Sequence, residues 1–442
     1  MNLTPKEIVA YLDEYIIGQF EAKKSISIAL RNRYRRLQLE LEMQEEVMPK
    51  NILMIGSTGV GKTEIARRLS KMMNLPFVKV EASKYTEVGF VGRDVESMVR
   101  DLALAALNLV KAEHKEKNRE GIEKYVEKII LEKLLPPLPK GASEDKRLAY
   151  KQSYEKMRER LIAGDLDGLN IEVDLQQNSG EFGNDTNMPP DMIKVQESFI
   201  RILSAGAGNV KKEMSVKEAK EALKAEAADK ILNNETMRLE AVQRAQEEGI
   251  IFIDEIDKIA VPSTSQGRQD PSKEGVQRDL LPIVEGSAVT TKLGTIDTDH
   301  ILFIAAGAFH LSKPSDLIPE LQGRFPLRVE LNSLDEGTLY KILTQPRNSL
   351  LRQYKALLSA EGVELIFDDD AILAIAKIAY IANEKTEDIG ARRLHTIIEK
   401  VIEDISFSAN EHKGESLHVD AKLVHDKLDT IIEDEDSARY IL

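Results

Sequence analysis

The residues with the clearest chemical meaning are 56–63, which match the pattern G-x-x-x-x-G-K-[ST] at every defined position. The apolar run 52–55 before them is typical of a buried strand, and 64–73 has helical character. The glycines allow backbone N–H groups to point at phosphate oxygens, Lys62 adds a positive charge, and the Thr63 hydroxyl can bind Mg²⁺. A tight strand–helix turn alone would not explain Lys62 followed by Thr63. The pattern therefore predicts nucleotide contacts from Gly59, Val60, Gly61, Lys62, Thr63 and Glu64.

A second chemical signal is the acidic pair Asp254 and Glu255, which closes the apolar run 250–253. In a P-loop enzyme the carboxylate at such a strand end lies beside the phosphates. Asp254 can then hold Mg²⁺ through its water shell together with Thr63, while Glu255 can orient and deprotonate the attacking water. Two acids leaving a strand at the surface are common, but a complete P-loop in the same chain favours the catalytic interpretation.

Composition excludes several functional classes. The chain has 442 residues, no cysteine and a net charge of −14. Disulfides, cysteine-ligated zinc and cysteine nucleophiles are excluded, and an acidic chain argues against a dedicated nucleic-acid binder. The cluster Arg31, Arg33, Arg35 and Arg36 leaves a local basic patch open, although a solvated helix face is the simpler interpretation. The sequence has no signal-peptide layout and no apolar run that would span a bilayer, which predicts a cytoplasmic protein without membrane contact.

Hydrophobic periodicity predicts the elements that must position these residues. Thr4-Pro5-Lys6-Glu7 is a capping box with proline at the first helical position, so a helix begins there, and Gly18 is expected to end it. Helices are predicted at 20–46, 94–112, 122–135, 146–162, 216–232, 335–359, 369–382, 391–408 and 421–432. Strands are predicted at 52–55, 77–80, 250–255 and 300–305, with a hairpin at 289–298.

Strands that alternate with helices predict an α/β fold with a parallel sheet covered on both faces. Between about 112 and 235 the chain is rich in Lys, Glu, Gln and Asn, and 176–190 is expected to be disordered. We therefore predict a nucleotide-binding core split between 1–111 and 236–331. The intervening residues 112–235 form a helical, partly disordered insertion domain, and 332–442 form a mainly helical C-terminal domain.

Taken together and in order, these motifs resemble the AAA+ ATPases of the Clp/Hsp100 class. The resemblance rests on the P-loop, a strand ending in Asp-Glu, a later Gly-Arg, and a helical domain that carries Gly-Ala-Arg. Within that class the chain is similar to the HslU (ClpY) family over essentially its whole length, and least so at 112–235. The segments that carry this narrower similarity are 16–19, 89–92, 274–282, 317–324 and 390–395.

The resemblance implies an ATP-driven protein unfoldase that forms a ring, with a hexamer expected, and uses ATP and Mg²⁺. Substrate proteins would be passed into a separate threonine peptidase of the HslV type. The chain would hydrolyse ATP without cutting peptide bonds, in line with the lack of a recognisable Ser-His-Asp arrangement in its sequence.

The resemblance also implies roles for residues outside the P-loop. Ile17 would line the adenine pocket. Arg392 corresponds to the sensor-2 arginine, which can reach the γ-phosphate, and Arg393 is the alternative if the register differs by one. Arg324 corresponds to an arginine finger supplied to the ATP of the neighbouring subunit, and Glu320 lies at the same subunit boundary.

Two further segments are implied to contact other polypeptides. A loop facing a central pore, which would pull on substrate, consists of Gly89, Phe90, Val91 and Gly92. A C-terminal tail, which would dock between subunits of the peptidase ring, ends in Tyr440, Ile441 and Leu442. From the residues alone, an ordinary turn with a buried phenylalanine and a tail folded back on its own domain would explain both segments.

Two alternatives from other functional classes remain open at this stage. An AAA+ remodelling ATPase that works without a peptidase would carry the same motifs. A P-loop kinase or GTPase acting on a small molecule is disfavoured, because an N-K-x-D motif is not evident. One departure from the AAA+ pattern is Ala305-Ala306-Gly307-Ala308, where a polar sensor-1 residue is expected. We assign no residue to that role.

Overall fold

The computed structural model describes residues 3–36, 38–47, 50–87, 92–135, 143–175, 210–231, 233–261 and 271–433. The chain divides into two compact units, one of Met1–Ala106 with Val242–Leu442 and the other of Leu107–Ala241. The predicted division into three domains stays a prediction, and the expected disorder at 176–190 lies outside the described residues. In the part of the chain that is described, no helix has the length and apolar composition of a membrane span.

The first unit begins with three helices and then alternates strands with helices. These elements are α1 (Pro5–Asp13), α2 (Phe20–Arg36), α3 (Leu41–Glu46), β1 (Ile52–Ile55), α4 (Lys62–Met73), β2 (Phe77–Glu81) and α5 (Ser97–Lys117). The capping box is confirmed, since the Glu7 N–H donates to the Thr4 hydroxyl and the Thr4 N–H donates to the Glu7 carboxylate. However, α1 ends at Asp13, well before Gly18.

The single helix predicted at 20–46 is wrong, because the chain leaves the helix after Arg36 and begins the short α3 at Leu41. Across the break the Arg36 Nε donates to the Gln44 carbonyl in α3 at 2.8 Å. Hydrophobic spacing continued through this region and did not indicate the break.

The arginine cluster of α2 is not a solvated face. The Arg33 guanidinium donates to the carbonyls of 247–249 and of His300 at distances between 2.5 and 3.3 Å. Burial lowers the pKa of Arg33 to about 10. Arg36 is also buried and donates to His300 Nε2 at 2.6 Å. Arg31 also donates to the Leu3 carbonyl at 3.2 Å, so three of the four arginines bind backbone or imidazole acceptors, and Arg35 is the exposed one.

The described residues of the second unit are mainly helical, with an antiparallel pair of strands that the sequence did not predict. Its further elements are α6 (Arg119–Leu134), α7 (Glu144–Ala163), β3 (Asn170–Leu175), β4 (Val210–Ser215), α8 (Val216–Ile231) and the start of α9 (Asn234–Glu248). Strands β3 and β4 pair antiparallel. Lys220 joins α8 to the turn before β3, donating to Asp167 at 2.7 Å and to the Leu161 carbonyl at 3.0 Å.

The first unit resumes with the second half of its sheet. The elements up to the C-terminal helices are β5 (Ile250–Asp254), α10 (Pro271–Glu285), β6 (Ala288–Thr291), β7 (Gly294–Asp297), β8 (Leu302–Gly307), α11 (Pro319–Arg324) and β9 (Leu327–Glu330). The predicted hairpin at 289–298 is confirmed by the antiparallel pairing of β6 with β7. Strand β9 was not predicted.

The C-terminal residues of the first unit are mostly helical. They form α12 (Glu336–Thr344), α13 (Leu350–Ser359), β10 (Glu364–Phe367), α14 (Asp369–Lys385), α15 (Arg392–Phe407), β11 (Ser416–Val419) and α16 (Ala421–Glu433). The single helix predicted at 335–359 is wrong, because Pro346 cannot continue the backbone hydrogen bonds of α12. The parallel pair β10–β11 was also missed. A hydrophobic cluster of its own, which includes Leu339, Ile375 and Ile398, holds these helices together.

The five core strands form one parallel sheet in the order β2-β5-β8-β1-β9. Alternate residues of β1, β5 and β8 pack on α1, α2 and α4, while the residues between them are also buried, so both faces are covered. Parallel strands end at the same edge of a sheet. The P-loop after β1 and the acidic pair at the end of β5 therefore lie at one edge, with β8 between them. This confirms the predicted α/β fold with a parallel core.

Candidate nucleotide-binding site

The predicted phosphate-binding loop joins β1 to α4 and contacts a turn of the C-terminal helical region. Gly59 has φ +77°, and a Cβ there would lie 2.1 Å from the Ile389 carbonyl oxygen. Gly390 has φ +58°, and its Cβ would lie 2.6 Å from the Thr58 carbonyl oxygen. The Ala391 N–H donates to the Gly59 carbonyl at 3.2 Å. The two backbones therefore touch at a place where only glycine fits on either side.

Lys62 is the first residue of α4, and its ammonium group lies inside the loop. The side chain is almost fully buried, and Nζ donates to the carbonyls of Gly56 at 2.5 Å and Ser57 at 2.7 Å. Burial lowers the pKa of Lys62, and the carboxylates of Asp254 and Asp257 offset part of that effect. A cation held here by loop carbonyls has the position from which a P-loop lysine contacts the outer phosphates.

The predicted metal-binding pair is brought together across the sheet. The Thr63 hydroxyl donates to Asp254 Oδ2 at 3.2 Å, although the two residues are 191 positions apart. Lys79 on β2 donates to the same oxygen at 2.8 Å. Hydroxyl and carboxylate oxygens fit Mg²⁺. Among the described residues no group of three or more acidic or histidine side chains is placed to hold a metal ion, so Mg²⁺ here would also need phosphate oxygens.

Glu255 has an uncommon backbone conformation and a hydroxyl partner on the neighbouring strand's turn. Its φ is +58°, and it is the residue before the 3-10 turn 256–258. The Ser83 hydroxyl donates to Glu255 Oε2 at 2.9 Å. The carboxylate is exposed, so it is accessible to water at the edge of the site. Left-handed conformations of this kind cost about 1–3 kcal/mol and cluster at functional sites.

Asp257 is a third acid that our sequence analysis missed. The Phe309 N–H donates to its Oδ2 at 3.4 Å, and a Cβ on Gly307 would lie 2.8 Å from its Oδ1. Gly307 ends β8, and its carbonyl accepts a hydrogen bond from the Gly56 N–H at 3.2 Å. At the strand end that lacks a polar sensor-1 side chain, the adjacent polar group is therefore Asp257. In the sequence, the position of Asp257 three residues after Asp254 could have indicated that it lies at the same site.

Ile16 and Ile17 lie beside the loop on its N-terminal side. Ile16 is buried, and its Cγ2 would be 3.7 Å from a Cβ on Gly61, whereas Ile17 is half-buried. Lys23, which is 1 % exposed, donates to the Ile16 carbonyl at 2.5 Å and to Asp13 at 2.6 Å. Ile16 therefore contacts the P-loop, and the adenine contact of Ile17, the half-buried residue that follows it, stays a prediction.

The structure separates the two arginines at the start of α15. Arg393 is buried and donates to Asn383 Oδ1 at 3.2 Å, to the Thr386 hydroxyl at 2.7 Å and to the Glu387 carbonyl at 2.6 Å. Arg392 is exposed, two residues beyond the glycine that touches the P-loop, and its charge contributes to lowering the pKa of Lys62. Arg392 therefore fits the sensor-2 role, and Arg393 supports the turn that carries it.

Arg324 lies far from the P-loop of its own chain. It ends α11, and its carbonyl accepts from Asn51, the residue before β1, at 3.2 Å. That is the amino edge of the sheet, opposite the P-loop. The Arg324 side chain pairs with Glu285 at 2.8 Å, and Glu320 is exposed on the preceding turn of α11.

The remaining predicted residues are less informative. The Glu64 carboxylate pairs with Arg67 at 2.5 Å and Arg68 at 2.6 Å along α4, which leaves its N–H as its means of contacting a phosphate. Val60 is buried in the core of the sheet. Gly92 is described, whereas Gly89, Phe90, Val91 and the tail residues Tyr440, Ile441 and Leu442 lie outside the described residues.

Family models match three parts of the chain. The model of the ATPase family associated with various cellular activities (AAA) matches residues 52–116, and that of the AAA domain (Cdc48 subfamily) matches 175–328. The model of the C-terminal, D2-small domain of ClpB protein matches 334–409. The P-loop, the acidic strand end and the turn that carries Arg392 each fall within one of these matches.

Curated relatives match the chain along its entire length. A protein of Campylobacter jejuni subsp. jejuni serotype O:2, named ATP-dependent protease ATPase subunit HslU, is 66% identical over 442 residues, which is 100% of both chains. A protein of Helicobacter pylori with the same name is 63% identical over 442 residues, covering 100% of this chain and 99% of the relative.

Proposed function

The chain belongs to the HslU family of AAA+ ATPases, and we propose that it uses ATP hydrolysis to unfold proteins and pass them into an HslV-type threonine peptidase. It is an ATPase, and its relatives carry the name of the ATPase subunit rather than the peptidase of an ATP-dependent protease. The finer features, namely Mg²⁺, a hexameric ring and a cytoplasmic location, belong to the same proposal.

The phosphates of ATP would be held at the carboxyl edge of the sheet. Lys62 exchanges its loop carbonyl acceptors for phosphate oxygens, and Thr63 with Asp254 holds Mg²⁺ beside them. Bound Mg²⁺ supplies neutralisation of the charge that develops on the phosphates. Glu255 orients the attacking water and accepts its proton, and Ser83 restrains the Glu255 carboxylate until then.

The main structural support for a ring is that Arg392 and Arg324 lie at opposite edges of the sheet. Arg392 lies at the edge of the P-loop, whereas the Arg324 backbone is bonded to the residue that precedes β1. The four residues of β1 span about 13 Å at about 3.3 Å per residue. Arg324 therefore cannot serve its own P-loop. A neighbouring copy in a ring would receive it, which supports the arginine-finger role and an oligomer.

The described base of the predicted pore loop is well anchored. Tyr85 and Arg93 form a parallel bridge, and the Thr86 N–H donates to the Arg93 carbonyl at 3.2 Å. A Cβ on Gly92 would lie 2.1 Å from the Thr86 hydroxyl oxygen, so a side chain at this position would require Thr86 to move. An anchored base allows force on Phe90 and Val91 to reach the ATPase core. We propose that this loop moves the substrate polypeptide and that the apolar tail 440–442 docks on the peptidase.

The test is a degradation assay with the purified chain, ATP, Mg²⁺, an HslV peptidase and a stably folded fluorescent substrate. We expect cleavage of the substrate, followed on denaturing gels, only when both proteins and ATP are present, whereas the chain alone should hydrolyse ATP and leave the substrate uncleaved. Deleting Tyr440, Ile441 and Leu442 should abolish stimulation of the peptidase and leave the ATPase intact, whereas Arg439→Ala is the matched control in the same tail.

Two outcomes would contradict parts of the proposal. Degradation of the substrate by the chain alone would refute the division of labour between ATPase and peptidase. ATP-dependent unfolding that never stimulates the peptidase, with or without the tail, would instead favour a remodelling ATPase. Electron microscopy of the ATP-bound chain would then report the number of subunits in the ring.

A further inference from the structure

Gln19 occupies a backbone position that glutamine does not favour. Its carbonyl accepts the Lys23 N–H at 3.1 Å, so it is the residue that precedes the first turn of α2. Residues at this position normally have extended φ and short polar side chains that cap the helix. Gln19 instead has φ +57°, a left-handed conformation that is unfavourable for a residue with a side chain. Some other interaction must hold it there.

That interaction is a two-point hydrogen bond to the backbone of Asn332. The Gln19 amide nitrogen donates to the Asn332 carbonyl at 2.8 Å, and the Asn332 N–H donates to the Gln19 amide oxygen at 3.0 Å. Gln19 is 6 % exposed, so both bonds are shielded from water. The glutamine amide thus pairs with both the N–H and the carbonyl of Asn332, 313 residues away, as paired residues of neighbouring strands do.

Asn332 lies on the connector between β9 and α12, and the P-loop contacts the residue before it. The Leu331 N–H donates to the Ile55 carbonyl at 2.8 Å, and a Cβ on Gly56 would lie 3.0 Å from the Leu331 Cβ. The connector into the C-terminal helices is therefore held on one side by the start of the P-loop and on the other by Gln19.

Gln19 also fixes one end of the segment that carries Ile16 and Ile17. Lys23 fixes the other end through the Ile16 carbonyl and Asp13. Neither polar side chain is among the residues that we expect to touch the nucleotide. Their shared effect is to give a short loop without regular structure a single position beside the P-loop.

We propose that Gln19 is a positioning residue for recognition of the nucleotide base, because it locks the Ile17 loop onto the connector to the C-terminal helices. This inference rests on the proposed adenine contact of Ile17. It predicts that loss of the Gln19–Asn332 pair weakens the contribution of the base to binding, while the contribution of the phosphates, made by the P-loop, stays unchanged.

The test compares two ligands on the full-length chain, ATP and inorganic tripolyphosphate, each with Mg²⁺. Gln19→Gly removes both hydrogen bonds but tolerates φ +57°, and Gln19→Met keeps the side-chain length without donor or acceptor. We expect both variants to bind ATP about tenfold more weakly, the effect of about 1.4 kcal/mol, with tripolyphosphate affinity within twofold of the parent. The KM for ATP should rise more than kcat falls.

Gln353→Met is the matched control, because the Gln353 amide also donates to a backbone carbonyl, that of Asn348 at 2.7 Å, on exposed α13. It should change neither affinity. Equal weakening of both ligands, or loss of both, in the Gln19 variants would show a merely structural role and overturn the inference. Unchanged ATP affinity would also overturn it.

Ile17→Ser separates this inference from the proposal beneath it. Suppose that Ile17→Ser weakens the binding of ATP but not of tripolyphosphate, while the Gln19 variants change the binding of neither ligand. The adenine contact of Ile17 is then supported, and the role proposed for Gln19 is refuted. If Ile17→Ser leaves the ratio of the two affinities unchanged, the adenine contact itself fails.

Discussion

The contact between Gly59 and Gly390 makes a specific substitution informative. In Gly390→Ala the new Cβ would lie 2.6 Å from the Thr58 carbonyl oxygen, whereas ordinary van der Waals contact begins at 3.4 Å. The turn at 389–391 must therefore move away from the P-loop by about 0.8 Å, and the hydrogen bond from Ala391 to Gly59 would lengthen with it. Arg392 follows immediately and would move with the turn.

The expected effect on turnover follows from that displacement. A misplacement of about 1 Å in a positioned catalytic group can cost about 100-fold in rate. For a shift of about 0.8 Å we expect kcat for ATP hydrolysis to fall about 10- to 100-fold, or about 1.4–2.7 kcal/mol. The left-handed backbone adds a loss of stability of about 1–2 kcal/mol, because alanine disfavours φ +58°.

Gly414→Ala separates the two effects. Gly414 also has a left-handed φ, of +90°, but a Cβ there would have no atom within 4 Å. This control should lose a similar amount of unfolding free energy and keep its kcat. The assay is steady-state ATP hydrolysis at saturating ATP, with thermal denaturation of both variants in the same buffer.

Equal kcat values for Gly390→Ala and Gly414→Ala would refute a displacement of Arg392 that slows hydrolysis. Equal rates would mean that the turn relaxes without moving Arg392, or that Arg392 has no part in hydrolysis. Arg392→Ala distinguishes these cases, since it should match the Gly390→Ala rate only if the arginine is the group that was displaced.

Further predictions concern the site and one buried histidine. Lys62→Thr should abolish ATP binding, whereas Glu255→Gln should bind ATP and not turn it over; equal binding loss in equilibrium titrations would contradict these roles. Arg324→Ala should bind ATP without hydrolysis, and mixing it with Glu255→Gln subunits should restore some activity; no recovery in any ratio would argue against shared sites. Burial and then the charge of Arg36 lower the pKa of His300. The imidazole of His300 therefore takes up a proton more readily in the unfolded chain than in the folded one. Neutral His300 favours the folded state above about pH 6.5, and the free energy of unfolding decreases as the pH falls below that value. As the pH is lowered, the melting temperature of His300→Gln should therefore fall less than that of the parent chain. Parallel plots of melting temperature against pH would refute this prediction.

Local sequence was sufficient for the chemistry at the strand ends. The P-loop and the acidic pair each follow a short apolar strand, and a parallel sheet necessarily places both at one edge. The sequence was therefore sufficient to predict that Thr63 and Asp254 lie at the same edge of the sheet. It was not sufficient to predict that β8 lies between β1 and β5. Spacing alone also could not choose between Arg392 and Arg393, because the choice depends on which side chain the turn buries.

The errors have a common physical cause. Helix 20–46 and helix 335–359 were predicted as continuous because hydrophobic spacing persisted through their breaks. At the first break the Arg36 side chain binds the Gln44 carbonyl, a contact within the predicted helix that hydrophobic spacing does not report, while Pro346 carried a local signal that deserved more weight. Likewise, the two-point bond from Gln19 to Asn332 spans 313 residues, and no pattern in either segment indicates the other.

The nucleotide pocket is built from segments that the sheet does not contain. The proposed phosphate and metal contacts follow β1 and β5, whereas the proposed contacts of Ile17 and Arg392 come from the loop before α2 and the start of α15. The Arg392 turn is tied to the P-loop by the backbone hydrogen bond from Ala391 to Gly59, and the Ile17 loop is tied through the Gln19 side chain to the connector at Asn332. That connector is in turn bonded to the end of β1, from Leu331 to Ile55. Because these hydrogen bonds join the P-loop to the C-terminal helices, we expect a change in the P-loop on hydrolysis to move those helices. Arg324 of the same chain lies at the opposite edge of the sheet, so we expect such a movement to change the position of the helices relative to the surface that carries Arg324.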